Sequence, residues 1–475
     1  MSLINTPCGQ LRGVVTPSGV SVYKGIRFAT AERLEPPVLV SNWSGIYEAL
    51  AVGPECPQTE SQLRQLLNAD ESGQSEDCLF LNITTPDTTN KLPVYVWIHG
   101  GGFTNITPPL SWNESERLSI QGDAVVVTLS YRLGAFGFLG NQNLGILDQV
   151  AALQWVQKNI VAFGGDPQNV TIFGESAGGC SVVSLMAAPS AIGLFSRAWA
   201  MSASLGQLRS PEIALSSQQK FLQIANVSTI NELKNLTTEQ FLKIQDSMLT
   251  DVETWLQGFS PTADGTVLPH DVIGAAANNP VDLVIGTTKD ESRIFNLLNP
   301  ALNNLDQPQA LEVLRINHNE RADDIYAIYS KRYPEYSATQ LIAAVDTDTH
   351  FKMPMWKLLR ERLQSHANTW SYMFTWTSPI FDGVLGASHG LDIPFIFNNV
   401  ESERVHVYTG NDPSAPELAL AMSQELLTFG RSGRPNWVPY DLDSRTIKIF
   451  NVPQSTSHSA DLSPNSEIYD FWMNS

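Results

Sequence analysis

The chain has 475 residues, with 29 Lys and Arg against 48 Asp and Glu, giving a formal net charge of −19. Only 16% of the residues are charged and 43% are hydrophobic, which excludes a disordered or collagen-like chain and supplies the apolar material for a large core. The acidic excess also excludes nucleic acid and anionic membrane surfaces as partners, because both need a basic footprint to displace counterions.

The first fifteen residues, MSLINTPCGQLRGVV, contain no basic residue before Arg12 and no apolar run of signal-peptide length, so a cytoplasmic protein is expected. Later apolar runs are strand-sized and fall far short of the ~20 residues that span a bilayer. The cysteines, Cys8, Cys56, Cys78 and Cys180, form no CxxC pair and no zinc-ligand spacing, and read as buried thiols. Strands are predicted at 93–98, 124–130, 170–173, 198–201 and 282–285, where β-branched apolar residues run without alternation, as in strands covered on both faces. Between them, Ile146, Val150, Leu153, Val156, Ile160 and Phe163 recur at spacings of three and four, one face of a helix. Residues 211–260 and 306–366 are richer in Gln, Asn, Lys and Glu and are predicted to be helical insertions over the sheet. Two more strand-like runs, 369–376 and 446–450, flank a helix near 417–429. No linker divides the chain, so one α/β domain spanning 1–475 with a mostly parallel sheet is expected.

The stretch Val170-Thr-Ile-Phe-Gly-Glu-Ser-Ala-Gly-Gly179 runs from a strand through G-x-S-x-G into a helix-like segment. Glycines on both sides of a sharp turn let the backbone approach closely, so Ser176 is held exposed where an acyl group can reach it. Upstream, Ile98-His-Gly-Gly-Gly-Phe103 follows a strand and can turn its amides toward a developing oxyanion. Gly101, Gly102 and the amide of Ala177 would form a three-donor hole. A serine hydroxyl needs a base, and the base needs an acid that fixes its tautomer. In this fold the order is Ser, acid, His. His389, in the turn Gly386-Ala-Ser-His-Gly390, is the favoured base over His270, His350 and His458, while Asp290 and Glu291 stand equally well as the acid.

These residues resemble the type-B carboxylesterases, the α/β-hydrolase family that includes cholinesterases and bacterial p-nitrobenzyl esterases. The resemblance runs through Ser75-Glu-Asp-Cys-Leu-Phe-Leu-Asn82, His99 to Phe103, Tyr131-Arg-Leu-Gly-Ala-Phe-Gly137, Gly174 to Gly179, Thr287 to Phe295 and Gly430-Arg-Ser-Gly-Arg-Pro-Asn436. It implies that the acid is Glu291 and the histidine His389, in His389-Gly-Leu-Asp-Ile-Pro-Phe395. It also implies a supporting Ser202 against the acid, and a pairing of Cys56 with Cys78 that secreted members bridge and a reducing cytoplasm leaves as thiols.

The motifs and the resemblance together imply a serine carboxylesterase acting through an acyl-enzyme on small neutral esters, with no metal or organic cofactor and a monomer expected. Hydrolysis aimed mainly at amides, carbamates or lactones is the alternative, with a non-catalytic binding protein behind it. Residues 57–77 contain no Trp, Tyr or Phe, which argues against an aromatic cage for a quaternary ammonium group in that loop.

Overall fold

The computed structural model describes residues 1–59, 73–105, 111–249, 258–365, 368–452 and 467–473. Its centre is a 12-stranded sheet. In chain order the main strands are β1 (Ser2–Thr6), β2 (Gly9–Val15), β3 (Ser21–Arg27), β4 (Phe80–Thr85), β5 (Leu92–Ile98), β6 (Val125–Leu129), β7 (Gly165–Glu175), β8 (Arg197–Met201), β9 (Asp282–Thr288), β10 (Thr369–Phe374) and β11 (Lys448–Phe450). Their spatial order is 1-2-3-4-6-5-7-8-9-10-11, and Ile46–Glu48 pairs with β2. From β6 to β11 every pairing is parallel, whereas β1 to β4 join one another, and β4 joins β6, antiparallel. The sheet is therefore the mostly parallel one expected, with an antiparallel N-terminal wing that the apolar runs did not announce. The outer strands of that wing, β1 and β2, are half-exposed and short of continuous apolar runs.

The central strands explain the unbroken hydrophobic runs. In β5, Val94, Val96 and Ile98 enter one apolar cluster while Tyr95 and Trp97 enter the other, so both faces of the pleat are buried. The first face is covered by the helices Leu144–Asn159 and Ala177–Ala187, the second of which is buried at every position. The other is covered by Ala415–Ser432, through Leu418, Met422, Leu426 and Phe429.

The first predicted insertion is realised as Pro211–Ala225, Ile230–Leu233 and Thr238–Leu249, its remainder at 250–257 lying outside the described residues. The second is realised as Gln307–His318, Ala322–Arg332, Ala338–Thr347 and Met353–Arg362, with a π-helical turn Asp348–Lys352 joining the last two. The first three of these helices form a third apolar cluster with the C-terminal helix Glu467–Met473, while Met353–Arg362 joins the first cluster through Met355, Trp356, Leu358 and Leu359. Among the described residues no helix is long and apolar enough to cross a membrane.

The strand order fixes where chemistry can sit. After β5 the chain moves to β6 on one side, then crosses to β7 on the other, so the carboxyl ends of β5 and β7 open a crevice at a topological switch point. The glycine run 100–102 leaves β5 and Ser176 leaves β7 at that crevice.

Candidate active site

Ser176 sits between the last residue of β7 and the first residue of the helix Ala177–Ala187, with φ 60° and ψ −121°. This is a conformation that L-residues rarely adopt, and the surroundings hold it. The Ser176 amide donates to the Met201 carbonyl at 2.9 Å, and the Ser176 carbonyl accepts from Cys180 at 2.8 Å and Ser204 at 3.3 Å. Gly178 is required for the close approach, since a Cβ there would collide with the carbonyl oxygen of Ile98. Ser176 remains 9% exposed at the crevice floor. A Cβ on Gly100 would sit 3.0 Å from Ser176 Cβ and 2.9 Å from Glu175 Oε2, so the glycine loop, the serine and Glu175 share one small space.

His389 lies on the loop after β10 and Glu291 on the loop after β9. The two side chains meet at 2.6 Å between Nδ1 and Oε2. The other carboxylate oxygen of Glu291 accepts from the Thr288 amide at 2.7 Å, and the His389 amide donates to the Glu291 carbonyl at 3.3 Å. Asp290, the other acid left open by pattern, turns away: it pairs with Arg293 at 3.0 Å and accepts from the Ala387 amide. On the far side of the imidazole, Nε2 stands 3.1 Å from Glu175 Oε1. The described hydrogen bonds include none between Ser176 and His389. The rings of Phe295 and Phe351 lie against the imidazole at 5.1 and 4.9 Å. Tyr408 donates to the His389 carbonyl at 2.7 Å.

Glu175 and Asp392 are the polar residues to which the sequence assigned no role. Both were in view, one as the variable position of G-x-S-x-G and the other three residues beyond His389. Neither motif says that side chains from two separate loops converge on one imidazole. Burial is the largest influence on all three groups, and it disfavours each charged form. For His389 it is outweighed by Glu175, then by Glu291 and Asp392, and the imidazole is raised to about 9. Glu175 is pushed up to about 7 by its burial, with His389 pulling it down and Glu291 adding to the rise. Asp392, bonded to Tyr372 at 3.2 Å, is raised well above the usual carboxylate range by burial and then by its two acidic neighbours.

Gly101 and Gly102 have φ of 103° and 60°, and no described hydrogen bond takes their amides or that of Ala177. His99 braces the glycine loop. It is buried, lowered to about 4 by that burial, stacked on Tyr131 at 4.4 Å and bonded through Nδ1 to the Gly100 carbonyl at 2.8 Å.

The Ser202 hydroxyl is buried and makes no hydrogen bond among the described residues, to Glu291 or to any other group. The described partners of the Glu291 oxygens are Thr288 and His389. Cys56 and Cys78 are free, buried thiols. They lie side by side, and the hydrogen bond to Cys56, with burial, raises Cys78 well above the usual thiol range. His270 bonds the Ala263 carbonyl and His350 lies in the π-helical turn, while His458 lies outside the described residues. Among the described residues no group of His, Cys, Asp and Glu is arranged to hold a metal ion.

Comparison with known proteins adds independent support. Residues 1–472 match the model of the carboxylesterase family. The chain is 34% identical to a para-nitrobenzyl esterase of Bacillus subtilis (strain 168), covering 95% of this chain and 97% of that one. It is 29% identical to a phenmedipham hydrolase of Pseudarthrobacter oxydans over 94% of both chains. Among solved structures, a carboxylesterase of Geobacillus stearothermophilus superposes with a TM-score of 0.84 at 33% identity, covering 95% of this chain and 96% of its own. The protein thus has the α/β-hydrolase fold, belongs to the carboxylesterase family and is a serine carboxylesterase that hydrolyses ester bonds.

Proposed function

We propose that Ser176 is the nucleophile of this esterase, His389 its general base, Glu291 the acid that orients His389, and that the substrates are small neutral esters. The observation that carries the assignment is the 2.6 Å contact of Glu291 with His389 Nδ1, which leaves Nε2 on the other side of the ring, 3.1 Å from Glu175, the residue next to Ser176 in the elbow. Ser176 Oγ attacks the ester carbonyl carbon as its proton passes to His389 Nε2. The oxyanion is received by the free amides of Gly101, Gly102 and Ala177, and removal of one such donor typically costs about 10²-fold or more in rate. The carbon–oxygen bond to the alcohol breaks and the alcohol takes the proton from Nε2. Water, deprotonated by the same nitrogen, then releases the acid from Ser176. Glu291 stays ionised throughout.

All the proposed groups come from loops of one sheet, which supports action as a single domain spanning 1–475. The Glu291 and Glu175 carboxyl groups at the imidazole disfavour an anionic acyl or alcohol group. The test is a panel of p-nitrophenyl esters of increasing acyl length beside the matching anilide and a phenyl carbamate. The ester of a short acid is expected to be turned over fastest, and a tenfold preference for the anilide or carbamate would replace this substrate class.

Glu175 gives the reaction a pH signature. The base must be neutral to accept a proton, and a histidine raised to about 9 is protonated at neutral pH, so kcat/KM should climb into the alkaline range. The groups facing the imidazole are Glu175, Glu291 and Asp392, and Glu175 is the strongest of those that raise it. Glu175→Gln is expected to move the midpoint of the acid limb down by about 1 pH unit or more. A pH profile of p-nitrophenyl acetate hydrolysis measures this, and an unmoved midpoint would free Glu175 of the role.

A further inference from the structure

The loop that carries Glu291 is held from two directions. On one side it is tied to the histidine loop, where Asp290 donates its amide to the Ala387 carbonyl at 2.9 Å and the Ala387 amide donates to Asp290 Oδ2 at 3.0 Å. On the other side it meets one short stretch, residues 347–352, where the helix Ala338–Thr347 opens into the π-helical turn Asp348–Lys352. A π turn shifts the register of the side chains beyond it, and such turns concentrate at functional sites. Here the stretch places one side chain on His389 and two on the backbone that flanks Glu291. Thr347 Oγ1 accepts from the Ser292 amide at 3.0 Å, just after Glu291. Lys352 Nζ donates to the Lys289 carbonyl at 3.3 Å, two residues before it. Phe351 packs on the His389 ring.

Lys352 is held in turn by Asp348 at 3.0 Å, with side-chain exposures of 10% and 6%. The second oxygen of Asp348 accepts from Tyr329 OH at 2.6 Å, and Trp472 Nε1 of the C-terminal helix donates to that hydroxyl at 2.9 Å. A buried ion pair is a poor source of stability, since two apolar residues of the same volume often do as well or better. What an apolar pair cannot do is direct a donor at the Lys289 carbonyl.

We propose that Thr347 and the Asp348–Lys352 pair are positioning residues for Glu291, gripping its loop on both sides so that the carboxylate stays on His389 Nδ1. The proposal rests on the assignment of Glu291 as the orienting acid. The C-terminal helix reaches the same grip through Trp472 and Tyr329, which gives it a part in the acid's placement.

The test is a mutant cycle on the full chain. Thr347→Val removes the acceptor for Ser292 without changing charge. The double variant Asp348→Asn with Lys352→Met removes the grip on Lys289 without leaving a lone buried charge. Each is expected to unfold cooperatively near the wild-type temperature, to lose about 10- to 100-fold in kcat and to keep KM within about twofold. Thr347→Ser, which restores the acceptor, should recover kcat. In a Glu291→Gln background neither change should cost anything further, because there is no carboxylate left to place.

The proposal is overturned if both variants keep wild-type kcat, or if their losses persist undiminished in the Glu291→Gln background, which would mark a general packing defect. Should the double variant fail to fold, Thr347→Val decides alone. Wild-type kcat in Glu291→Gln itself would overturn the acid's assignment instead, so the two failures are distinguishable.

Discussion

Replacing Ser176 by Ala is expected to lower kcat for p-nitrophenyl acetate by about 10⁶-fold, to abolish the burst of p-nitrophenol, and to leave the fold intact. The size of the loss comes from the chemistry, since without Oγ there is no bond for the acyl group to form. The remaining amides and the crevice can only stabilise attack by water. The fold should survive because the turn is held by backbone bonds to Met201, Cys180 and Ser204 and by the close packing at Gly178, none of which uses the hydroxyl. The measurement is steady-state and rapid-mixing kinetics with a thermal melt on the same sample. Turnover within tenfold of wild type would remove Ser176 from the mechanism.

The second large effect is expected at Glu291→Gln. Glu291 Oε1 accepts from the Thr288 amide and Oε2 faces His389 Nδ1. An amide keeps its oxygen on the Thr288 donor, and its NH₂ group is then turned to Nδ1. That arrangement makes Nδ1 the acceptor and puts the imidazole proton on Nε2, the nitrogen that must accept from Ser176. An amide in place of a triad acid costs about 10⁴-fold in kcat, and a loss of that order is expected here with little change in KM. Saturation kinetics on a folded sample checks it. A loss below tenfold would show that His389 finds its tautomer without Glu291.

The sequence made the core of this architecture legible because its central strands are covered on both faces. Uninterrupted runs such as Val94 to Ile98, rich in β-branched residues and of strand length, fit strands covered on both faces. The N-terminal strands escaped notice for the opposite reason: Ser2–Thr6 and Gly9–Val15 alternate weakly, and their pairing depends on register with each other, which one strand does not encode. Ser176 was legible because the elbow needs its glycines within two residues of the serine. The choice of Glu291 over Asp290 was not legible from pattern, since adjacent residues of a loop point in different directions; the family resemblance implied Glu291, and the fold shows it meeting His389. Glu175 and Asp392 carry the same lesson: their effect on the imidazole arises from three loops closing on one point.

The central claim is that an acyl group passes through Ser176, and the most direct measurement is to catch it there. The enzyme is mixed with p-nitrophenyl acetate, quenched in acid within the burst, digested, and the peptide around Gly174 to Gly179 is sequenced by mass spectrometry. One acetyl group on Ser176, absent after the burst decays and absent in Ser176→Ala, is the expected result. Full ester turnover with no acetyl on Ser176 at any quench time, or with the acetyl on another residue that is retained in Ser176→Ala, would contradict the account.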